Sequence, residues 1–172
     1  MPEEICPGCA ARLPASGGPT HRYIGASPAC WEIYSALVNG GEPPLAPSPY
    51  NGLLVDAYAA QHPGVPSPQA VQSVAVHLLV LYGVLSLGEN PGQALWIRRQ
   101  ALSEAKGRRQ GRFQWLEPPG FEGALTIADV AWGSSAEDRA RLVRDYVQGV
   151  WERWQALHAG TVAGWYRIYV SG

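Results

Sequence analysis

The sequence carries little charge. Only 16% of its 172 residues are Asp, Glu, Lys or Arg, and the formal net charge is −1. A nearly neutral chain lacks the long-range positive potential that attracts proteins to nucleic acids or anionic membranes. Binding to either would therefore require a local basic patch.

The sequence also lacks a long apolar run. Its most apolar window, residues 74–87, is shorter than the roughly 20 residues that a helix needs to cross a bilayer, so we interpret it as a core helix. The first residues, MPEEICPGC, resemble neither a secretory signal nor a transit peptide, because they are acidic and contain no apolar run. We therefore expect a cytoplasmic protein with no membrane partner.

Cysteine is scarce, with three residues in the whole chain. An odd number of thiols argues against a disulfide framework, and cysteine spacing in an intracellular protein more often indicates metal binding or catalysis. A chain of this length can bury a core without cross-links. We expect a single domain over residues 1–172, with a metal-binding amino-terminal loop (1–26) and a helical bundle (27–172).

Helix start signals are plentiful. Ser-Pro pairs at 27–28, 48–49 and 67–68 and an Asn-Pro pair at 90–91 combine a capping side chain with a proline suited to the first helical position. No alternating strand pattern of any length occurs. The sequence predicts an all-α fold, a compact bundle of about five helices with a loop-rich amino terminus. The predicted helices span residues 28–39, 49–62, 68–87, 91–105 and 136 to at least 158.

The motif CPGC places Cys6 and Cys9 within reach of one ion. Cys30 would lie in the first turn of a helix, where the helix dipole favours the metal-binding thiolate. The fourth ligand is either His62, at the matching end of an antiparallel second helix, or His21 in the connecting loop. The sequence thus predicts a structural zinc site. The alternatives are free buried thiols and a redox dithiol, although redox pairs follow a strand that is not predicted here.

His77 lies within the apolar run, so it should be buried and needs a hydrogen-bond partner. An antiparallel second helix would place Asp56 beside it, and such a pair is either a structural lock or the start of an active site. Gln61, Trp151 and His158 are further candidates for the lining of an apolar ligand pocket.

A basic, aromatic-containing segment offers a possible nucleic-acid interface, because cations can contact phosphates while an aromatic ring stacks on a base. The candidate residues are Arg98, Arg99, Arg108, Arg109, Arg112 and Trp115. Aromatic residues of the last helix and the tail would fill the core or a homodimer interface.

Five segments together resemble a family of small bacterial proteins of unknown function: CPGC (6–9), HRYIGASPACW (21–31), DAYAAQHPG (56–64), AVHLL (75–79) and VWERWQALH (150–158). The resemblance implies a bacterial source and names no substrate.

No P-loop, dinucleotide fingerprint, nucleophile elbow or His-Glu-x-x-His motif occurs in the sequence. We therefore expect a zinc-binding helical protein that binds a small molecule or a protein partner. The alternatives are a metal-dependent enzyme with an open metal site and a nucleic-acid binder.

Overall fold

The computed structural model describes residues 2–107 and 113–172. Helices form most of this part of the chain, as the sequence predicts, and a single two-stranded antiparallel hairpin precedes them. The strands are β1 (Glu3–Ile5) and β2 (Arg12–Pro14). The helices are α1 (Pro28–Val38), α2 (Leu54–Gln61), α3 (Pro68–Leu81), α4 (Ala94–Gly107), α5 (Ile127–Ala131) and α6 (Ala136–Tyr169).

The helix starts follow the capping signals. The Ser27 hydroxyl accepts a hydrogen bond from the Cys30 N–H, and Ser67 does the same for its own helix, so α1 and α3 begin at the prolines that follow. At the other two signals the chain first makes a 3₁₀ turn, Pro49–Leu53 and Pro91–Gln93. The α-helices predicted there consequently begin later, at Leu54 and Ala94. Each of these 3₁₀ turns contains a glycine, which weakens an α-helical first turn.

Helix α3 is the centre of the bundle and packs against α2, α4 and α6. The α-helix ends at Leu81, and the next five residues, Tyr82–Ser86, continue it as a π turn. The segment Pro68–Ser86 is long and apolar enough to cross a membrane. Its packing among three helices is that of the core helix of a soluble protein.

Two elements were not predicted. Each hairpin strand has only three residues, too few to show a periodic pattern. Helix α5 has five residues and begins at a capping box in which Thr126 and Asp129 bond reciprocally. Helix α6 continues through Gly160 to Tyr169 and buries the aromatic residues of the tail.

Candidate metal centre

Four potential metal ligands meet between the hairpin and the first two helices. The ligand atoms of Cys6, Cys9, Cys30 and His62 all lie within 4.8 Å of one another, and no side chain of the four is more than 2% exposed. The Sγ atoms of Cys9 and Cys30 are 3.9 Å apart, and the Cys30 Sγ lies 3.4 Å from the His62 Nε2. Tetrahedral zinc bonds imply separations of about 3.8 Å and about 3.6 Å for these pairs. The cluster therefore has the dimensions of a metal site.

The hairpin turn presents the first two thiols. It is closed by hydrogen bonds between Cys6 and Ala11 and between Ala10 and Cys6. Gly8 lies directly against the end of α2, where a Cβ atom would come within 2.4 Å of the His62 ring and 2.9 Å of the Gln61 carbonyl. Glycine is therefore needed at this position for the turn to reach the histidine.

Helix α1 supplies the third thiol from its first turn. The Glu4 carboxylate of β1 accepts a 2.7 Å hydrogen bond from the Ala29 N–H, and this bond lowers the pKa of Glu4. The bond joins the hairpin to the helix that carries Cys30, so both parts of the cluster are held in register without a metal ion.

Helix α2 ends at the fourth ligand. The Nδ1 of His62 lies 2.7 Å from the Tyr58 carbonyl oxygen, which can only accept, so the proton sits on Nδ1 and the lone pair of Nε2 faces the thiols. A second hydrogen bond of this kind orients metal-binding histidines in general. The Tyr58 ring lies beside the imidazole, with ring centroids 4.1 Å apart, and its hydroxyl donates to the Cys30 Sγ at 3.4 Å.

The protein groups alone stabilise one thiolate. Hydrogen bonds from Cys30 and Cys9 lower the pKa of Cys6. Contacts with Cys6 and Cys9, together with burial, raise the pKa of Cys30. For Cys9, the contact with Cys30 lowers the pKa, but the contact with Cys6 and burial prevail and raise it to about 12. Three adjacent thiolates would therefore require a cation among them.

His21 lies outside the cluster. Its ring packs against Tyr23 and Trp31, with centroid distances of 4.5 Å and 5.1 Å. Of the two histidines that sequence spacing left open as the fourth ligand, the structure brings His62 to the thiols.

A second polar cluster lies further up α2 around the fully buried Asp56. His77 itself is only partly buried, with 17% of its side chain exposed, so the prediction of a buried histidine was wrong. His77 Nδ1 is 2.6 Å from the Oδ1 of Asp56, the pair that helix packing predicted. Sequence reasoning missed the third member, Arg98, which grips both carboxylate oxygens at 2.9 Å and 2.6 Å and also donates to the Gly52 carbonyl. The one sequence signal that could have indicated this role is that Arg98 is adjacent to an apolar, buried position of α4.

The predicted pocket residues bond to different partners. Asp56 and Gln61 are five positions apart on α2 and hence face different sides of it; Gln61 bonds to a carbonyl before α5 and to an α6 tyrosine. Trp151 donates to the serine of the π turn, and His158 bonds to a carbonyl of the loop before α5. Of these residues, only His77 lines the small cleft that lies beside Tyr58.

The basic segment is only partly described. Arg98 is engaged with Asp56, so it is not a free cation. Arg99 is exposed and Trp115 is half-buried. Arg108, Arg109 and Arg112 lie outside the described residues.

Fold and cluster together define a small helical protein whose amino-terminal hairpin meets the bundle at a buried Cys₃His group. The chain belongs to DUF5946, a family of unknown function, whose family model matches residues 4–155. This confirms the expectation of a family with no assigned activity, and the match includes all four residues of the cluster. Comparisons with curated proteins and with solved structures gave no match.

Proposed function

We propose that this protein binds one zinc ion through Cys6, Cys9, Cys30 and His62. Three thiolates and an imidazole are a soft donor set in tetrahedral spacing, which favours zinc over the hard cations that prefer oxygen ligands. The His62 tautomer supports the assignment, because its free lone pair already faces the sulfurs.

Burial of all four ligands is the observation that carries a structural role for the ion. A catalytic zinc has three protein ligands and keeps its fourth position open to water or substrate. Here four protein ligands fill the coordination sphere and none exceeds 2% exposure. The ion would fasten the hairpin to the start of α1 and the end of α2, and the function of the protein would be binding of a small molecule or a protein partner.

Metal analysis of the untagged protein tests this proposal. We expect one zinc per chain by elemental mass spectrometry, and loss of that zinc in Cys9→Ser and His62→Ala. His21→Ala is the matched control, because it removes a nearby imidazole outside the cluster, and it should retain zinc. Absence of metal from the wild type, or zinc loss in the His21 variant alone, would contradict the proposed site.

A further inference from the structure

A small cleft opens beside the metal centre and shares one wall with it. Its volume is about 170 Å³, and the residues that matter for its chemistry are Trp31, Tyr34, Tyr58, Ser73 and His77. An apolar protein cavity of about 150 Å³ accepts benzene. The cleft is therefore the size of one six-membered ring with a small substituent.

The walls of the cleft are aromatic. The Tyr34 and Tyr58 rings stack in parallel with centroids 3.9 Å apart, and Trp31 adjoins both at 5.4 Å and 6.0 Å. The stacked tyrosine pair and the indole, which is tilted to both rings, give the cleft aromatic edges and faces on which another planar ring can pack in an offset or edge-to-face arrangement.

His77 supplies a hydrogen-bond acceptor in the lining of the cleft. Its Nδ1 bonds to the fully buried Asp56 carboxylate, and both oxygens of that carboxylate also accept hydrogen bonds from Arg98, so the carboxylate acts as the acceptor toward Nδ1. The proton of a neutral His77 imidazole consequently sits on Nδ1 and leaves the Nε2 lone pair free. Nε2 bonds to no residue in the described part of the chain, and the side chain is 17% exposed.

The lining carries no permanent charge, and its titratable imidazoles are those of His21 and His77. None of the described residues that line the cleft is Asp, Glu, Lys or Arg, and behind His77 the charges of Asp56 and Arg98 cancel. Burial, and secondarily the Asp56 charge, raises the pKa of Tyr34 to about 12, so its hydroxyl stays protonated at neutral pH. The cleft consequently offers a charged ligand no permanent counter-ion.

We propose that this cleft binds a small neutral phenol, whose ring lies against the tyrosine and tryptophan rings and whose hydroxyl donates to the Nε2 of His77. In this site Asp56 and Arg98 are positioning residues, because they fix the His77 tautomer without contacting the ligand. The binding site is distinct from the zinc centre, although Tyr58 contributes to both.

Fluorine NMR of 4-fluorophenol tests the proposal on the zinc-loaded, full-length protein. Phenols ionise at about pH 10, so the probe is neutral at pH 7. We expect saturable line broadening with wild type and about tenfold weaker binding of fluorobenzene, which lacks the donor. Failure of 4-fluorophenol to bind wild type, or equal affinities for the two probes, would overturn the proposal.

Two variants and a control locate the binding. His77→Asn keeps an N–H donor for Asp56 but removes Nε2, and it should weaken 4-fluorophenol binding about tenfold. Ser73→Phe should fill the cleft and abolish binding, whereas His158→Asn lies elsewhere and should bind like wild type. Unchanged affinity in the His77 or the Ser73 variant contradicts the assignment. Zinc content and near-ultraviolet circular dichroism of each sample separate a failure of the metal centre from a failure of the cleft.

Discussion

The two polar clusters on α2 balance their charge in different ways. At Asp56 the protein itself supplies the cation, because Arg98 grips both carboxylate oxygens. Six residues along the chain, at His62, three thiols meet an imidazole, and no Lys or Arg in residues 2–107 or 113–172 hydrogen-bonds to them. The Asp56 carboxylate is paired with an arginine and thus needs no further ion. The thiol group has no such partner within the described ranges, which indicates a metal ion taken up from solution.

Removing the external cation should have the largest effect. A zinc ion held at a thousandfold excess over its Kd stabilises the folded state by about 4 kcal/mol, so chelation should lower the free energy of unfolding by a comparable amount. Guanidinium unfolding followed by tryptophan fluorescence, with and without chelator, measures the difference. Cys9→Ser should unfold like the chelated wild type, and an unchanged midpoint after complete zinc removal would show that the ion does not support the fold.

Removing the internal cation should cost somewhat less. Arg98→Met would leave the Asp56 carboxylate buried without its main partner and should destabilise the protein by about 3 kcal/mol. The exposed neighbour provides the control, since Arg99→Met should have little effect. Adding Asp56→Asn to Arg98→Met should recover part of the lost stability, because it removes the unpaired charge. Equal effects of Arg98→Met and Arg99→Met would show that Arg98 does not neutralise Asp56. Thermal unfolding of wild type and these three variants measures each difference in stability.

The close approach of the hairpin to His62 can be tested with one methyl group. Gly8→Ala would place a Cβ atom 2.4 Å from the imidazole, and overpacking of this kind costs about 2 kcal/mol. Competition with a chromogenic chelator should therefore show weaker zinc binding. Gly17→Ala has open space around its Cβ position and should bind zinc like wild type. Equal affinities of the two variants would mean that the turn can move away from the histidine.

Removing an exposed ion pair should have the smallest effect on stability, in contrast to removing Arg98. Arg141 and Asp138 also lie 2.6 Å apart but in solvent. The Ser134 N–H, and then Arg141, lower the pKa of Asp138 in the folded protein. Its contribution to stability is therefore present above the unfolded-state pKa and is lost as the pH falls through the folded-state pKa.

Asp138→Asn should accordingly be slightly less stable than wild type at pH 7, and the difference should disappear in acid. Unfolding midpoints of the two proteins between neutral and strongly acidic pH measure this. A stability difference between the two proteins that grows as the pH falls would contradict this prediction.

Local signals predicted the helices well and the contacts between them unevenly. Ser27 and Ser67 mark helix starts because capping depends only on adjacent residues. The fourth metal ligand stayed open between His21 and His62, because sequence spacing does not determine which loop reaches the thiols. His77 and Asp56 could be paired from antiparallel packing, but Arg98, 42 residues from Asp56, was interpreted as part of a basic run.

The shortest elements escaped prediction for a different reason. Three-residue strands and a five-residue helix give too few positions for a period to be recognised. They form because tertiary contacts hold them, as the Glu4 bond to α1 illustrates.

Tyr58 connects the metal centre with the aromatic cleft beside it. Its hydroxyl contacts the Cys30 sulfur while its ring forms a wall of the aromatic cleft, so one side chain belongs to both proposed sites. Any movement of this side chain on binding at one site would make the occupancies of the two sites thermodynamically linked. Whatever factor zinc applied to the affinity for a phenol, the phenol would then apply to the affinity for zinc.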